Sequence, residues 1–501
     1  MAEYRLGVDI GGTFTDIVLL GSDGALWSKK ILSTPDDYSR AIEDGIRTLL
    51  DESRILTAEI TEFAHGTTIA TNAIIERQGV RVALLTTRGF RDVLELGRFR
   101  APRLYDLHFR KPEVLVERRL RFEVPERTDA RGEIIEAVDL AALEGIADSL
   151  RAEGITAIAV CFINAYVNSH NEEVAAEYLQ RRLPDVSIST STQLLPQIQE
   201  YERTSTTVIN AYIRPVVEGY LRALSERMTK LGIGVPLLIM QSSGGVLPSP
   251  LVGANPVYII ESGPAAGVVG CQRLGRRLGV GDLMVLDMGG TTAKATIIED
   301  GRFTILPEGE VGGGVVLGTR LIQGAGYAVQ VPTIDIAEVG AGGGSIASAD
   351  VAGGIQVGPR SAGAVPGPAC YDLGGSQPTV TDANLVLGRL GTSSLLGGDM
   401  TLDADLARKT IKERVADPLE LDVEEAAEGI VPVVNASMVK GIRVVSVSKG
   451  YDPREFCLVA FGGAGPVHAS ELAAEMDIPS VLVPIAPGVT SALGLLMADL
   501  R

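Results

Sequence analysis

The sequence predicts an α/β protein that uses one strand-turn-strand device twice. Short β-rich runs alternate with helical patterns through the first half of the chain. The stretch Asp9-Ile-Gly-Gly-Thr-Phe-Thr-Asp16 recurs as Asp287-Met-Gly-Gly-Thr-Thr-Ala-Lys294. A chain of 501 residues with 46% hydrophobic content and mixed charge can bury a large core spread over two or more domains.

Each copy of the device reads as a hairpin. An apolar run rich in β-formers (Tyr4 to Ile10; Leu283 to Leu286) leads into Asp-x-Gly-Gly-Thr, and a second apolar run follows (Ile17 to Leu20; Ala295 to Ile298). Glycine at the turn permits positive φ and close backbone approach, so the N–H groups of Gly11, Gly12 and Thr13 can surround a phosphate. Gly289, Gly290 and Thr291 can do the same from the opposite side. A single Gly-Gly turn is more simply a tight hairpin. Two matching copies, each headed by Asp and followed by Thr, favour a shared ligand.

Taken in order, strands near residues 4 to 31 and a helix near 36 to 52 open the chain. At His65-Gly-Thr-Thr68 a strand ends and a helix begins. Free amides and hydroxyls there suit an anion, and a Thr cap beside a hydrogen-bonded His fits equally well. A strand from Val80 to Thr86 precedes a polar turn with Arg88 and Arg91; these and Arg98 suit salt bridges better than a ligand. Charge and proline from Arg98 to Arg131 predict edge strands and loops. A helix (140 to 153), a strand (155 to 162), a helix (171 to 182) and a short strand (186 to 189) close the first half, and a boundary near Pro196 divides the chain into 1–195 and 196–501.

The second half opens on a helical pattern from Glu200 to Leu231 in which Pro215 is expected to kink or divide the helix. A strand at 235 to 241 leads to Glu261-Ser-Gly-Pro-Ala-Ala-Gly267, where proline just inside a helix start leaves amides facing whatever lies above them, which suits a nucleotide contact or simple close helix packing. After the second hairpin, two Gly- and Pro-dense stretches, Val339 to Ser345 and Gly358 to Tyr371, read as ordered loops lining a cleft. Thr381-Asp-Ala-Asn384 is expected to cap a helix, two further helices follow at about 402 to 415 and 422 to 449, and Leu458 to Pro466 is again strand, glycine turn and helix start.

A formal net charge of −18 disfavours nucleic acid and anionic membranes as partners. No uninterrupted apolar run reaches the roughly 18 residues that span a bilayer, and the N-terminus lacks a basic region followed by an apolar segment. The cytoplasm is the expected location. Cys161, Cys271, Cys370 and Cys457 stand singly, without zinc or disulfide spacing, and are expected to be buried thiols.

Asp9 to Asp16, Asp287 to Thr292 and Phe461-Gly-Gly-Ala-Gly-Pro466 together resemble the two phosphate motifs and the adenosine motif of the actin/Hsp70/sugar-kinase superfamily. His65 to Thr68, Glu200-Tyr-Glu-Arg-Thr-Ser205, Ser262 to Gly267, Gly340 to Ser345 and Ser361 to Pro368 resemble the hydantoinase/oxoprolinase family of the HyuA type, from about Leu6 to Asp499. Chains of that family commonly continue into a further C-terminal domain, so this one resembles a split or truncated member.

The resemblance implies two duplicated actin/Hsp70-like, ribonuclease H-like lobes with ATP in the cleft between them, used to activate the carbonyl of a cyclic amide or a ketone. It implies Mg²⁺ on Asp9 and Asp287, directly or through water. The β- and γ-phosphates would lie on the Gly-Gly-Thr turns with Thr15 and Thr292, and adenosine would lie against Gly462, Gly463 and Gly465. Asp9, Asp287 and, as a base or water-positioning group, Asp16 are the implied catalytic residues. A HyuB-like partner subunit and an oligomeric assembly are implied as well. Where many members carry Asp, this chain has Lys294, which either neutralises the γ-phosphate or pairs with Asp16. The reactions implied are cyclic-amide hydrolysis first, then an acetone-type carboxylation, then a regulatory ATPase acting on a partner.

Overall fold

β1 (Tyr4–Ile10) and β2 (Phe14–Gly21) form the first hairpin, and β3 (Leu26–Leu32) extends it as a meander. The computed structural model describes residues 3–12, 14–34, 37–98, 108–312, 326–392 and 400–500; Thr13 lies outside the described residues. α1 (Tyr38–Ser53) begins at Asp37, whose carboxylate accepts the Ser39 N–H at 3.1 Å, and buries its apolar stripe of Ile42, Ile46 and Leu49. β4 (Ile60–Thr67) then returns parallel to β1 and feeds α2 (Ile69–Ile75).

A separate parallel sheet follows, built from β5 (Val82–Thr87), β6 (Arg121–Val124), β7 (Ala157–Cys161) and β8 (Ser187–Thr190) in the order β8-β7-β5-β6. β5 and β7 are buried along their whole length, as expected of a parallel sheet covered on both faces. The charged stretch before residue 131 supplies the edge strand β6. α3 (Glu200–Leu231) is one continuous helix with Pro215 inside it, so the expected division does not occur. Buried residues on both sides of the proline, Ile209 and Ile213 before and Val217, Leu221 and Leu224 after, outweigh the roughly 3 kcal/mol that proline costs a helix interior.

β9 (Leu237–Met240) pairs parallel with β4, and β10 (Gly245–Pro248) pairs antiparallel with β9. The first sheet therefore takes strands from both sides of Pro196, and that position does not separate two cores. α4 (Ser262–Leu278) leads into the second hairpin, β11 (Leu283–Met288) and β12 (Ala293–Glu299). β13 (Arg302–Phe303) and β14 (Ala337–Val339) add to β12. α5 (Val380–Val386) is capped by Thr379 and not by Thr381; the Asp382 carboxylate answers the Thr379 N–H at 2.8 Å, completing a capping box. α6 (Val423–Val445), extended to Lys449, is long and apolar enough to cross a membrane by length and composition, yet more than half of its most apolar 18-residue stretch is buried, in the second lobe. β15 (Cys457–Phe461), α7 (Gly465–Glu475), β16 (Ser480–Leu482), α8 (Thr490–Leu495) and β17 (Asp499–Leu500) complete the chain.

The duplication is visible in strand order. The first sheet runs β17-β10-β9-β4-β1-β2-β3 and the second β13-β12-β11-β15-β16. In each, the strand that opens the lobe sits centrally, its hairpin partner on one side and two parallel strands on the other. α4 and α8 lie between the two sheets in one buried cluster with Val18, Ala64, Val285 and Phe461. The helices approach so closely that a Cβ on Gly494 would fall 1.9 Å from the Ala266 carbonyl oxygen, so only glycine fits there. Cys161, Cys271 and Cys370 are buried, whereas Cys457 is half-buried, one step short of the expectation.

Candidate functional site

The two hairpin turns face one cleft, about 190 Å³ in volume. Each closes the same way: Gly11 N–H donates to Phe14 O at 2.9 Å, and Gly289 N–H donates to Thr292 O at 3.1 Å. Strand register then places charges in rows, because residues directly opposite in antiparallel strands share a face. Across β1, β2 and β3 the row is Asp9, Asp16, Lys30; across β11, β12 and β14 it is Asp287, Lys294, Glu338. The first row reads minus, minus, plus, and the second minus, plus, minus.

Each lysine is engaged within its own neighbourhood. Lys30 donates to Asp16 Oδ1 at 2.5 Å and to Gly488 O at 3.3 Å. Lys294 donates to Glu261 Oε2 at 3.2 Å and lies 3.8 Å from Glu338, so it does not pair with Asp16 as one expectation had it. The register explains this, since the residue opposite Asp16 on the open side of β2 is Lys30. Glu261 itself holds a left-handed conformation, φ 63°, at the start of α4, with its N–H on the Thr71 hydroxyl at 3.1 Å. An unusual backbone for glutamate is thus spent on aiming its carboxylate at Lys294.

Asp9 and Asp287 are set against glycine. A Cβ on Gly66 would lie 2.7 Å and one on Gly263 3.1 Å from Asp9 Oδ1, and a Cβ on Gly462 would lie 2.5 Å from Asp287 Oδ1. Gly462, at φ 84°, therefore serves the carboxylate as much as any ligand. Asp9 Oδ1 is buried with no hydrogen-bond partner. Burial, then the Asp16 and Asp287 carboxylates, raise the Asp9 pKa to about 7 against the opposing pull of Lys30 and Lys294. Burial raises Asp287 to about 6, with Lys294 and Lys30 offsetting part of it. Burial likewise raises Asp16, opposed by Lys30. Such a pair wants a cation. Among the described residues no cluster of three or more acidic, His or Cys side chains forms a metal cage. The two buried carboxylates, one of them with an unpartnered oxygen, fit a hard divalent cation such as Mg²⁺.

The turns are braced from behind by different means. In a trans peptide the carbonyl and the next N–H point in opposite directions. Gly343 N–H holds Gly289 O at 3.0 Å and Gly344 N–H holds Gly290 O at 2.6 Å, so the N–H groups of Gly290 and Thr291 are turned toward the cleft. In the first hairpin the Ser33 hydroxyl donates to Gly11 O at 3.0 Å, with Thr15 Oγ1 3.0 Å from Ser33 Oγ, which turns the Gly12 N–H outward.

Several sequence-predicted residues therefore stand elsewhere than expected. Gly11, Gly12, Asp16, Gly289, Gly290, Thr291, Thr292, Lys294, Gly462 and Gly463 line the cleft with Asp9 and Asp287. Thr15 does not: it is fully buried on the opposite face of β2 and acts on the turn through Ser33. Gly465 is the buried first residue of α7, packed against the end of β11, and does not line the cleft. The Gly340 to Ser345 loop backs the second turn instead of lining the cleft, and the Thr381 hydroxyl in turn holds Gly343 O at 2.8 Å. His65 is buried between Val8 O (2.9 Å) and the Tyr220 hydroxyl (2.7 Å), while Thr68, just past the end of β4, faces the cleft, so that motif divides between structure and site. Gly263 and Pro264, from the Glu261 to Gly267 stretch read as a contact, line the cleft, whereas sequence reasoning missed Lys30, the Glu261 carboxylate as the partner of Lys294, and the Gly488 to Ser491 segment. Only the strand register singles out Lys30 from adjacent Lys29, and register depends on hairpin length.

Residues 203–501 match the hydantoinase/oxoprolinase family, and residues 5–183 match the N-terminal region of that family. The caprolactamase subunit alpha of Pseudomonas jessenii is 39% identical over all of this chain and 71% of its own length. The crystal structure of the ATP-dependent caprolactamase from that organism superposes with a TM-score of 0.82 at 38% identity, over 99% of this chain and 71% of that one. A nucleotide-free acetone carboxylase superposes with a TM-score of 0.85 at 27% identity, over 100% of this chain and 71% of that one. The fold, the paired turns and these likenesses agree: the chain belongs to the hydantoinase/oxoprolinase family.

Proposed function

We propose that this chain binds ATP between its lobes and uses it to phosphorylate the carbonyl oxygen of a cyclic amide, preparing the ring for opening by water. The observation that supports this best is the pair of glycine turns facing each other across Asp9 and Asp287. In this reading the N–H groups of Gly12, Gly290 and Thr291 receive phosphate oxygens, with no reorganisation needed because their carbonyls are already held. Asp9 and Asp287 would hold Mg²⁺, which when bound neutralises the charge that develops on the transferring phosphoryl group. Lys30 keeps Asp16 in place, and Glu261 keeps Lys294 at the edge of the cleft. The amide oxygen takes the γ-phosphoryl group while the bond to ADP breaks. Water then adds to the carbon, the C–N bond opens as the nitrogen takes a proton, and a second water releases phosphate from the acyl phosphate that remains.

Similarity to a protein named as an alpha subunit supports a second, HyuB-like subunit that completes the reaction. The likeness to acetone carboxylase supports a second reading, phosphorylation of a ketone for carboxylation, at lower identity. Phosphate release measured with caprolactam, hydantoin, 5-oxoproline and acetone, with and without bicarbonate and a co-expressed partner, separates the two. Stimulation by an amide without bicarbonate is expected. Stimulation only by ketone plus bicarbonate selects the carboxylase, and stimulation by a protein partner alone removes both.

A further inference from the structure

One charge in the nucleotide cleft is held differently from the others. Lys294 stands on β12 just after the second turn and lines the cleft beside Thr291 and Thr292. Its ammonium has two carboxylate neighbours, Glu261 at 3.2 Å and Glu338 at 3.8 Å, both partly open to solvent. Neither contact is as short as the roughly 2.8 Å of a well-made charged hydrogen bond. Lys30, the first lobe's lysine, is fixed by Asp16 at 2.5 Å and Gly488 O at 3.3 Å, with the Phe14 ring 5.1 Å away. Lys30 is clamped, whereas Lys294 is held lightly beside its turn.

The contact with Glu261 also joins the two lobes. Ile259 and Ile260, just before Glu261, belong to the first lobe's core, and the Glu261 N–H rests on the Thr71 hydroxyl of α2. Ser262 Oγ donates to Thr67 O of β4 at 2.9 Å, so the backbone that carries the Glu261 carboxylate is anchored to the first lobe. Ala293 and Ala295, on either side of Lys294, are packed in the second lobe's core. The tie between these two rigid parts is made by one ammonium on a flexible four-carbon stem. A carboxylate offers it a single negative charge. A terminal phosphate carries up to about two, with three strong acceptor oxygens, and outcompetes contacts of this length.

We propose that Lys294 and Glu261 form an exchangeable tie through which the cleft tells ATP from ADP: Glu261 stores the Lys294 ammonium across the lobes, and the third phosphate takes it away. The inference rests on the ATP reading above. Adenosine and the first two phosphates are common to both nucleotides, so only a group that meets the third can separate them. Glu261 acts through Lys294 and is a positioning residue. Its left-handed backbone is the cost of keeping the carboxylate within reach of the second lobe. Once the γ-phosphoryl group passes to the amide oxygen, its charge leaves the nucleotide and the ammonium returns to Glu261. Binding of ATP thus breaks one contact between the lobes, and turnover restores it.

Calorimetric titration of ADP and of the non-hydrolysable β,γ-imido analogue of ATP into the full chain, with Mg²⁺ present, tests this. Lys294→Met should weaken the analogue at least about tenfold by removing one charged contact, with ADP within twofold of wild type. Glu261→Gln keeps the size of the side chain and drops its charge, so it should tighten the analogue several-fold and leave ADP unchanged. In the Lys294→Met background, Glu261→Gln should alter neither affinity. The inference is overturned if Lys294→Met weakens both nucleotides alike or neither, or if Glu261→Gln acts equally with and without Lys294. Those results leave nucleotide binding itself standing. Wild type that binds neither nucleotide overturns the ATP reading and the tie together.

Discussion

Asp9 carries the clearest consequence at the scale of single residues. With its pKa raised from 3.8 to about 7, the folded state holds the Asp9 proton more tightly than the unfolded chain does. Below pH 3.8 both states are protonated and Asp9 has no effect. As pH rises toward 7 the unfolded chain ionises first, and the fold loses up to roughly 4 kcal/mol, a loss that stays constant above pH 7. Asp9→Asn should therefore raise the melting temperature of the ligand-free protein at pH 8 and leave it unchanged near pH 4. In saturating Mg²⁺ and ATP the order should invert, since wild type gains binding energy that the variant lacks. A variant no more stable than wild type at pH 8 would show that the buried Oδ1 is already compensated.

At the scale of elements, the glycine loop behind the second turn is the part to test. A Cβ on Gly342 would fall 2.6 Å from the carbonyl carbon and oxygen of Gly290, so Gly342→Ala must displace the peptide that presents Thr291 N–H. ATP affinity should fall at least tenfold, with adenosine affinity within twofold of wild type, as measured by calorimetry; equal losses for both ligands would indicate general collapse. The same elements show what the sequence reveals and what it hides. Both hairpins, the glycine turn after Phe461 and the helix at Glu200 to Leu231 were legible because period-two apolar runs, Gly-Gly turns and a long helical period are local signals. Thr15 was misjudged because alternation sends it to the face opposite Asp16, a matter of parity that motif matching ignores. The loop from Gly340 to Ser345 was placed in the cleft because glycine density signals close backbone approach without saying to what. Lys30 and Glu261 were out of reach because their partners are set by register and by a left-handed residue, neither of which is written locally.

For the whole molecule, each lobe carries one buried neutral histidine, and acid should act on both. His65 in β4 and His468 in α7 are each lowered to about 4, first of all by burial. His468 is wedged between Asn435 Oδ1 (2.8 Å) and Asn384 Nδ2 (3.1 Å), so a second ring proton would meet an amide donor. A lowered histidine stabilises the fold fully above its unfolded value of 6.5, and that contribution is lost as pH falls from 6.5 toward 4. In the Asp9→Asn background, melting temperature should fall steadily over this window, and His468→Gln should flatten the slope; an unchanged slope would place the acid sensitivity elsewhere.

Arg5 Nη1 reaches the Leu496 carbonyl at 2.7 Å, a Cβ on Gly7 would strike Ala492 O, and β17 forms the outer edge of the first sheet. The opening strand of the protein is thus finished by residues near 490 to 500. During synthesis on the ribosome that face of the sheet waits, bare, until the residues near 490 to 500 have emerged. Contacts of such sequence separation form slowly and leave apolar surface open to mispairing. Nascent chains of this protein should therefore depend on chaperones until α8 is out of the exit tunnel.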